Sequence, residues 1–385
     1  MASMKIPAVF MRGGSSKAVV FHACDLPSDR AMRDVIFLHV LGSPDPYQRQ
    51  LDGMGGGLSS VSKAVIVEPS ARPDADVDYT FAQVVVDKPL VDYGATCGNM
   101  SSAVGPFAVD EGLVAVTDGE AVVRVYNTNT GKIYHARFAV ADGRAVEEGD
   151  FAIPGVSGSG ARITLDYLDP GGAATGALLP SGSPRDRVPV EGMGPVEVSL
   201  IDATNPVVFV AAADVGGTAK ESPDHLEVDV ALMARLDAIR RAGGVAMGMA
   251  TDPASVGLAN PKVAMVGPAA DFMAIDGRGF AAESHDLSMR MVSMERVHRA
   301  VTLTGAMCAA VAVRIDGTIP HALAGISTPL RVGNPSGILP VEAKVIRDPD
   351  GGFHARSATT YRTCRRLMEG CVLVPERVPM AAAAE

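Results

Sequence analysis

The sequence contains no tryptophan, few other aromatic residues and no long apolar run. Seven tyrosines and 11 phenylalanines occur among its 385 residues. The longest apolar stretches are short, such as Val207–Ala213 and Ala306–Val313, whereas a membrane-spanning helix needs about 20 apolar residues. The first ten residues lack the long apolar centre of a signal peptide. We therefore expect no membrane span and no secretory signal.

Paired cysteines, metal-binding spacings and basic runs are also missing. The five cysteines are odd in number and include no CxxC pair, which argues against a disulfide framework and a structural zinc site. The eight histidines show no spacing typical of a metal site. With 34 basic against 44 acidic residues the net charge is −10, which argues against binding to nucleic acid or to an anionic membrane. The composition predicts a soluble protein of the reduced cytoplasm.

Glycine, proline and apolar residues are abundant. The 41 glycines and 26 prolines predict many tight turns between short strands. An apolar content of 47% over this length is enough for two cores, so we expect two domains. The stretch 169–189, rich in Gly, Pro, Ser and Ala, is interpreted as the linker. The expected domains are residues 1–187, joined by a C-terminal strand near 368–385, and residues 188–367.

Apolar periodicity and helix-ending residues predict the main helices. The segment Asp29 to Leu41 carries an apolar face and is followed by a glycine. The segment Gly98 to Gly112 is also typical of a helix, although Pro106 within it predicts a kink or a later start. Further helices are expected over 226–242 and 293–313, and short strands are expected between the helices.

Two segments of the first half recur in the second half. Cys97–Val104 aligns with Thr304–Val311, with Gly, Met, Ala and Val in the same register. Lys63–Val67 aligns likewise with Lys262–Val266. A duplicated strand-and-helix unit would give two similar domains with a cleft between them.

Cys97, Gly98 and Asn99 form the first candidate site. A cysteine just before a helix lies at the positive end of the helix dipole, which favours the thiolate. Gly98 lets a substrate approach the backbone closely, and Asn99 can hydrogen-bond a carboxylate or orient the thiol. The alternative interpretation is that Cys97 is a small buried apolar residue.

Lys63 is the second candidate. It follows a serine-rich stretch and precedes four apolar residues. Burial at such a position can lower the pKa of a lysine, as a general base requires. The alternative is an ordinary surface lysine at the start of a strand.

Two loops rich in glycine and hydroxyl groups, Arg12–Lys17 and Gly333–Gly337, can offer backbone N–H groups to carboxylates. Neither fits the phosphate-binding pattern GxxxxGK[ST], and Gly53–Gly57 does not fit GxGxxG. Nucleotide binding is therefore weakly supported, and plain turns are the alternative. Arg290, a single charge within the apolar run Ser288–Met291, suits a carboxylate, with a surface salt bridge as the alternative.

These segments, in this order along almost the whole chain, resemble the PrpF family, which includes methylaconitate isomerases, methylitaconate Δ-isomerases and 4-oxalomesaconate tautomerases. Ser15 departs mildly, since many relatives carry threonine there. The resemblance implies an α+β protein with the diaminopimelate-epimerase-like fold. In that fold two similar domains, each a mainly antiparallel sheet wrapped around a central helix, hold the active site in the cleft between them. The motifs are Arg12–Lys17, Asp52–Gly56, Ser59–Lys63, Cys97–Asn99 and Gly333–Gly337.

The resemblance also implies catalysis without a metal or an organic cofactor, with Lys63 and Cys97 as the proton-transfer residues. The carboxylates of the substrate are expected to meet the glycine and serine loops, the start of the helix after Cys97, and Arg290. The expected substrate-binding residues are Ser15, Ser16, Gly98, Asn99, Met100, Arg290, Gly333, Asn334 and Ser336.

The expected reaction is the shift of a C=C bond by 1,3-proton transfer in a small unsaturated di- or tricarboxylate, of the methylitaconate, methylaconitate, aconitate or 4-oxalomesaconate type. N–H donors and cations must hold the carboxylate while a dienolate forms. The alternatives are an amino-acid racemase or epimerase of the same fold and a non-catalytic metabolite-binding protein. A two-cysteine racemase is disfavoured, because Thr304 matches Cys97 and Cys308 lies one helical turn further on. The sequence leaves open whether the protein is a monomer or a homo-oligomer.

Overall fold

The computed structural model describes residues 3–94, 96–258, 260–293, 295–349 and 351–375. The chain divides into two compact units. The first consists of Met1–Leu165 with Arg362–Glu385, and the second of Asp166–Tyr361. The sequence predicts domain boundaries at 187/188 and 367/368. These boundaries refer to folding domains and stay a prediction. Of the segment near 368–385, residues 376–385 lie outside the described residues.

Strands predominate over helices in both units. The strands are β1 (Ser3–Gly13), β2 (Ser16–His22), β3 (Lys63–Pro69), β4 (Val77–Val84), β5 (Val91–Asp92), β6 (Gly119–Asn127), β7 (Lys132–Ala141), β8 (Arg144–Ala145), β9 (Ile163–Leu168), β10 (Asp186–Val190), β11 (Gly194–Ala203), β12 (Asn205–Ala211), β13 (Lys262–Pro268), β14 (Phe272–Met273), β15 (Gly279–Phe280), β16 (Leu287–Ser293), β17 (Arg296–Val297), β18 (Leu330–Asn334), β19 (Gly337–Arg347), β20 (Phe353–Arg362) and β21 (Cys364–Pro375). The helices are α1 (Arg30–Leu41), α2 (Ser101–Asp110), α3 (Pro223–Val228), α4 (Val230–Ala246), α5 (Leu303–Val313) and α6 (Ile319–Leu323).

The sheet of the first unit has α1 on one face. β1 and β2 form a hairpin, α1 connects β2 to the parallel strand β3, and β4 returns antiparallel to β3. Ile36 and Phe37 of α1 pack on alternate strand residues such as Phe21 and Ile66. The C-terminal strand β21 pairs antiparallel with β1. α1 begins at the N-cap Asp29 and ends at Gly42, which adopts the left-handed conformation.

The helix α2 is the central helix of the first unit. Every residue from Ser101 to Val109 is buried. The Tyr134 hydroxyl of β7 donates to the Ser101 carbonyl at 3.0 Å. Gly105 permits this close packing, because a Cβ there would lie 2.8 Å from the ring of Phe138.

The second unit has α4 on one face of its strands and α5, with the short α6, on the other. α4 connects β12 to the parallel strand β13, and β16 runs antiparallel to β13. Side chains of a strand alternate between faces, so Val207 and Phe209 pack around α5 while Val208 and Val210 pack against α4. α5 is apolar all round and buried except at Thr304, as expected for a helix enclosed by a sheet.

The two units repeat one order of elements. The series β2, α1, β3, β4, α2 of the first unit matches β12, α4, β13, β16, α5 of the second in strand direction. β3 and β13 are both seven residues long, and both begin with lysine and end with proline. The short sequence echo therefore corresponds to a repeated piece of architecture.

Several predicted elements have different bounds in the structure. The helix expected over 293–313 is wrong in its first half, because β16 extends to Ser293, β17 follows, and α5 begins only after the N-cap Thr302. The helix expected over 226–242 is two helices that meet at Asp229, the N-cap of α4. Within the described residues, no helix is long and apolar enough to cross a membrane.

Candidate active site

Lys63 is the first residue of β3 and lies opposite Gln83 of β4. Its side chain is 6% exposed, and its Nζ donates to Gln83 Oε1 at 2.5 Å. The Phe81 ring centroid lies 5.1 Å from the same nitrogen. Burial lowers the pKa of Lys63, and the charge of Cys97 acts in the opposite direction. Lys63 is therefore not a surface lysine, and it lies within electrostatic range of Cys97.

The amide of Gln83 has a fixed orientation. Its Nε2 donates to the carbonyls of Ser62 at 3.0 Å, Ser59 at 3.1 Å and Val84 at 3.3 Å. Because these three acceptors require the nitrogen, the oxygen of the amide must face Lys63. No local sequence motif marks Gln83, since only the register of β4 against β3 places it beside Lys63.

The glycine-rich segment before Lys63 wraps around a buried glutamine. Gln50 is 1% exposed. Its Oε1 accepts from the Gly57 N–H at 2.9 Å and from Ser62 Oγ at 2.5 Å. A Cβ at Gly55 would lie 2.3 Å from the same oxygen. This loop therefore braces the residue before Lys63, and one of its N–H groups is already used within the protein.

Cys97 lies just before α2 and is half-buried. Its carbonyl accepts from the Ser101 N–H at 3.0 Å and from Ser101 Oγ at 3.1 Å. The helix begins at Ser101, three residues later than predicted, after the N-cap Met100. In the described part of the chain no side chain caps this helix, and its first three N–H groups, from Ser101 to Ala103, donate to backbone carbonyls of the preceding turn.

Asn99 connects the turn before α2 to the β1–β2 hairpin. Its Nδ2 donates to Ser15 Oγ at 3.2 Å, and Arg362 Nε donates to its Oδ1 at 3.0 Å. Gly14 adopts a φ of 53°, and a Cβ there would lie 2.4 Å from Asn99 Oδ1. The structure thus brings the predicted residues Ser15 and Asn99 into direct contact.

Arg362 is a charged residue of this cluster that the sequence analysis missed. It is the last residue of β20 and is 6% exposed. It lies 263 residues from Asn99 along the chain. No local motif marks it, so only the fold reveals a buried guanidinium beside the predicted substrate-binding loop.

The remaining predicted residues of the first unit lie around the same turn. Gly98 is buried next to Cys97, the Met100 side chain is fully buried, and Ser16 is a buried residue at the start of β2. Their substrate contacts stay a prediction, as do the catalytic roles of Lys63 and Cys97.

The second unit brings together the other predicted residues. Gly333 and Asn334 are the last residues of β18, and β19 begins at Gly337. The loop predicted over Gly333–Gly337 is therefore only the two-residue turn Pro335–Ser336. The Ser336 N–H donates to Asn334 Oδ1 at 3.0 Å, and Ser336 Oγ donates to the Arg299 carbonyl at 2.7 Å. These polar groups are hydrogen-bonded within their own unit, and their predicted contact with substrate is not tested.

Arg290 lies in β16 and is 2% exposed. Its Nε donates to the Glu221 carbonyl at 2.6 Å, and its Nη1 donates to the Met289 carbonyl at 2.9 Å. The guanidinium lies 5.4 Å from the Phe272 ring centroid. Burial lowers the pKa of Arg290 to about 10. Among the described residues the surface salt bridge considered as the alternative is not found, and the predicted carboxylate contact stays a prediction.

The second unit contains no thiol equivalent to Cys97 among its described residues. Thr304 lies inside α5, whereas Cys97 precedes α2, so the helix starts are offset relative to the sequence echo. Cys308 is completely buried in the core around α5. Burial raises the pKa of the Cys308 thiol, which makes it unsuitable as a base.

A surface cavity of about 700 Å³ lies beside the C-terminal end of α1. Leu38, His39, Asp45 and Arg49 contribute to its lining, which contains none of the predicted site residues. The Asp45 carboxylate accepts three backbone N–H groups of the same loop. This cavity is not part of the candidate active site. Among the described residues, no group of three His, Cys, Asp or Glu side chains is arranged to hold a metal ion.

Comparison with known proteins gives matches over nearly the full chain. The chain is 40% identical to 2-methyl-aconitate isomerase of Cupriavidus necator, over 97% of this chain and 98% of that protein. It is 39% identical to 3-methylitaconate isomerase of Eubacterium barkeri, over 96% and 97%. It is also 39% identical to 4-oxalomesaconate tautomerase of Pseudomonas putida, over 97% of each chain.

Solved structures agree with these matches. The crystal structure of a methylitaconate Δ-isomerase, 38% identical, matches with a TM-score of 0.89 over 98% of both chains. A hydroxyproline epimerase from Agrobacterium vitis, only 14% identical, has a TM-score of 0.51 over 97% of this chain and 92% of that one, which shows a shared fold. The predicted fold class and the prediction that the chain is an isomerase are confirmed.

The family model described as PrpF protein matches residues 3–375. That span contains every motif on which the predicted resemblance rested. With nearly full-length relatives at about 40% identity, the chain belongs to the PrpF family.

Proposed function

We propose that this protein moves a C=C bond by 1,3-proton transfer in a small unsaturated di- or tricarboxylate, without a cofactor. The substrate is of the methylitaconate, methylaconitate, aconitate or 4-oxalomesaconate type, in line with the named activities of its relatives. The observation that carries the proposal is the buried Lys63, whose pKa is lowered by burial and which lies within electrostatic range of Cys97.

Proton transfer in this site can be balanced with two side chains. Neutral Lys63 removes a proton from the allylic carbon, and the electron pair of the broken C–H bond spreads into a dienolate. The Cys97 thiol delivers a proton to the carbon two positions away, which forms the new C–H bond and completes the shift of the double bond. Lys63 is then an ammonium and Cys97 a thiolate, and proton exchange between them restores the starting state.

The dienolate requires donors at the carboxylate that receives its charge. The turn 97–100 supports this part of the proposal, because it lies at the N-terminal end of α2, where the helix dipole is positive. Asn99 and Ser15 add polar groups at the same turn. Arg362, buried beside Asn99, adds a positive charge to this region.

A racemase of the same fold would need a second acid–base group of the thiol type. Cys308 does not suit that role, because its thiol is enclosed by the core of the second unit and its pKa is raised by burial. An allylic isomerase that uses one cysteine and one lysine therefore fits the described residues better.

The test is an NMR time course in deuterated buffer with methylitaconate, aconitate, methylaconitate and oxalomesaconate, and with proline and diaminopimelate as racemase substrates. We expect deuterium at an allylic carbon of one polycarboxylate, together with migration of its double bond. Lys63→Met is the matched control and should show neither. Deuterium at the α-carbon of an amino acid, with none in any polycarboxylate, would contradict the proposal.

The proposal includes a cytoplasmic location and activity without metal. The acidic composition and the odd number of cysteines support the location. After dialysis against a metal chelator, we expect the enzyme to retain its full turnover.

A further inference from the structure

The environment of Lys63 contains a feature that the proposed reaction does not by itself require. A buried lysine in a protein is usually paired with a carboxylate, because an isolated buried charge is costly. Here, among the described residues, Nζ donates to the neutral amide of Gln83, at 2.5 Å. The titratable group whose charge acts on Lys63 is Cys97, and β4 also contributes the uncharged ring of Phe81.

The Gln83 amide is itself held rigidly. Three backbone carbonyls, from Ser59, Ser62 and Val84, accept its Nε2 hydrogens. Rotation of the amide by 180° would place its oxygen against these carbonyls. Gln83 therefore presents an acceptor to Lys63 and cannot become a donor without losing its own hydrogen bonds.

A neutral acceptor has a defined consequence for an amine base. The neutral amine of a lysine has two N–H hydrogens and one lone pair, and a hydrogen bond to the Gln83 oxygen fixes the direction of one hydrogen. The lone pair then points away from Gln83. A carboxylate in the same place would fix the direction equally well, but its full negative charge would favour the ammonium form, which cannot accept a proton.

We infer that Gln83 is a positioning residue that orients Lys63 without adding the full negative charge that would hold it as an ammonium, so that the lone pair of Nζ is left for the substrate proton. This inference rests on the proposed function, in which Lys63 is the base. It adds that β4 supplies the group that orients the amine of Lys63. Gln83 does not itself touch the reacting atoms.

The test compares the pH dependence of kcat/KM, which reports the free enzyme, in the wild type, Gln83→Glu and Gln83→Met. In Gln83→Glu the carboxylate favours the ammonium, so the acidic limb should move up by about 1–3 pH units, as an opposite charge at this range produces. Gln83→Met removes the acceptor, which stabilises the ammonium more than the amine. The acidic limb of the Gln83→Met profile should move to lower pH. The plateau value of kcat/KM should fall about 10- to 100-fold, because the amine is no longer oriented.

The matched control is Gln48→Glu, which adds the same charge at an exposed position of the same unit and should leave the limb in place. If Gln83 only braces the turn 59–62, both Gln83 variants lose activity at all pH values and neither limb moves. That result, or unchanged kinetics in Gln83→Met, overturns the inference. If Gln83→Glu does not fold, as judged by circular dichroism, Gln83→Met decides alone.

Lys63→Met, measured in parallel, separates this inference from the proposed function. Loss of turnover in Lys63→Met with unmoved limbs in the Gln83 variants rejects only the role of Gln83. Retained turnover in Lys63→Met rejects the proposed role of Lys63 and the inference together.

Discussion

The two units begin their central helices in different ways. α5 of the second unit has a side-chain cap, since Thr302 Oγ1 accepts from the Gly305 N–H at 3.1 Å. Among the described residues α2 of the first unit has no side-chain cap, and its first N–H groups donate to the backbone of the turn that follows Cys97. The repeated scaffold thus uses a threonine cap at one helix start and backbone carbonyls of the preceding turn at the other.

The lysines at the first positions of β3 and β13 also have different surroundings. Lys63 is buried against a neutral amide and interacts with Cys97. Burial lowers the pKa of Lys262 to about 8, and the charge of Lys262 contributes to the lowered pKa of His298. The repeated strand start therefore places a lysine within electrostatic range of the Cys97 thiol in the first unit and of the His298 imidazole in the second.

The largest effect is expected from Lys63→Met, compared with Lys262→Met. Removal of a general base lowers turnover by about 10²-fold or more, and we expect this for Lys63→Met and a change of less than about threefold for Lys262→Met. In the wild type kcat/KM should fall as the pH is lowered, because Lys63 becomes charged. Steady-state kinetics of both variants over pH checks this comparison. An equal loss in both would show that the two lysines share the chemistry.

The next effect concerns the two cysteines nearest the central helices. Cys97→Ser should slow turnover about 100-fold while substrate still binds, because a serine hydroxyl does not transfer protons near neutral pH. Cys308→Ala, in the second core, should retain turnover. Iodoacetamide should inactivate a Cys24→Ser/Cys371→Ser protein, from which the two exposed thiols are removed, and substrate should protect it. A stable adduct of substrate on Cys97 in mass spectrometry would contradict proton transfer.

The two buried arginines should separate binding from stability. Arg362→Gln should raise KM about tenfold, since Asn99 loses a charged donor and the site loses a cation. Arg362→Lys should recover part of the affinity. Arg290→Met should mainly lower Tm, because the carbonyls of Glu221 and Met289 lose their donors. A raised KM in Arg290→Met with an unchanged Tm would instead support its predicted contact with substrate.

Lys63 should also affect stability with a defined sign. Its pKa is lower in the folded protein than in the unfolded chain, so the unfolded chain binds the proton more tightly. The folded protein therefore loses stability as the pH falls below the pKa of the unfolded lysine, until the folded pKa is passed. Lys63→Met should have a higher Tm than the wild type, and the difference in Tm should grow as the pH is lowered over this range. Melting curves at a series of pH values measure it.

The smallest effect is expected at the capped helix. Thr302→Ala removes the cap of α5 and should destabilise the protein by about 1 kcal/mol, with no change in kcat or KM. Denaturant titration measures the loss, and kinetics serves as the control. A loss of activity would show that the start of α5 contributes to the reaction.

Some features of this protein were determined by the sequence alone. The spacing of the glycine, serine and cysteine motifs identified the family, because those segments need particular residue types at fixed positions. Asp29 and Gly42 predicted the ends of α1, since helix caps depend on local backbone chemistry. Lys63 and Cys97 were found because each stands beside a recognisable element, a buried strand in one case and a helix start in the other.

Other features were decided only by the tertiary structure. Gln83 faces Lys63 through the register of two antiparallel strands, and Arg362 reaches Asn99 across 263 residues of chain. Neither contact leaves a local pattern, because strand register and long-range packing are set by the whole core. The helix predicted over 293–313 was wrong in its first half for a related reason: residues 296–297 pair with the end of β16 as the strand β17, and α5 begins only after Thr302.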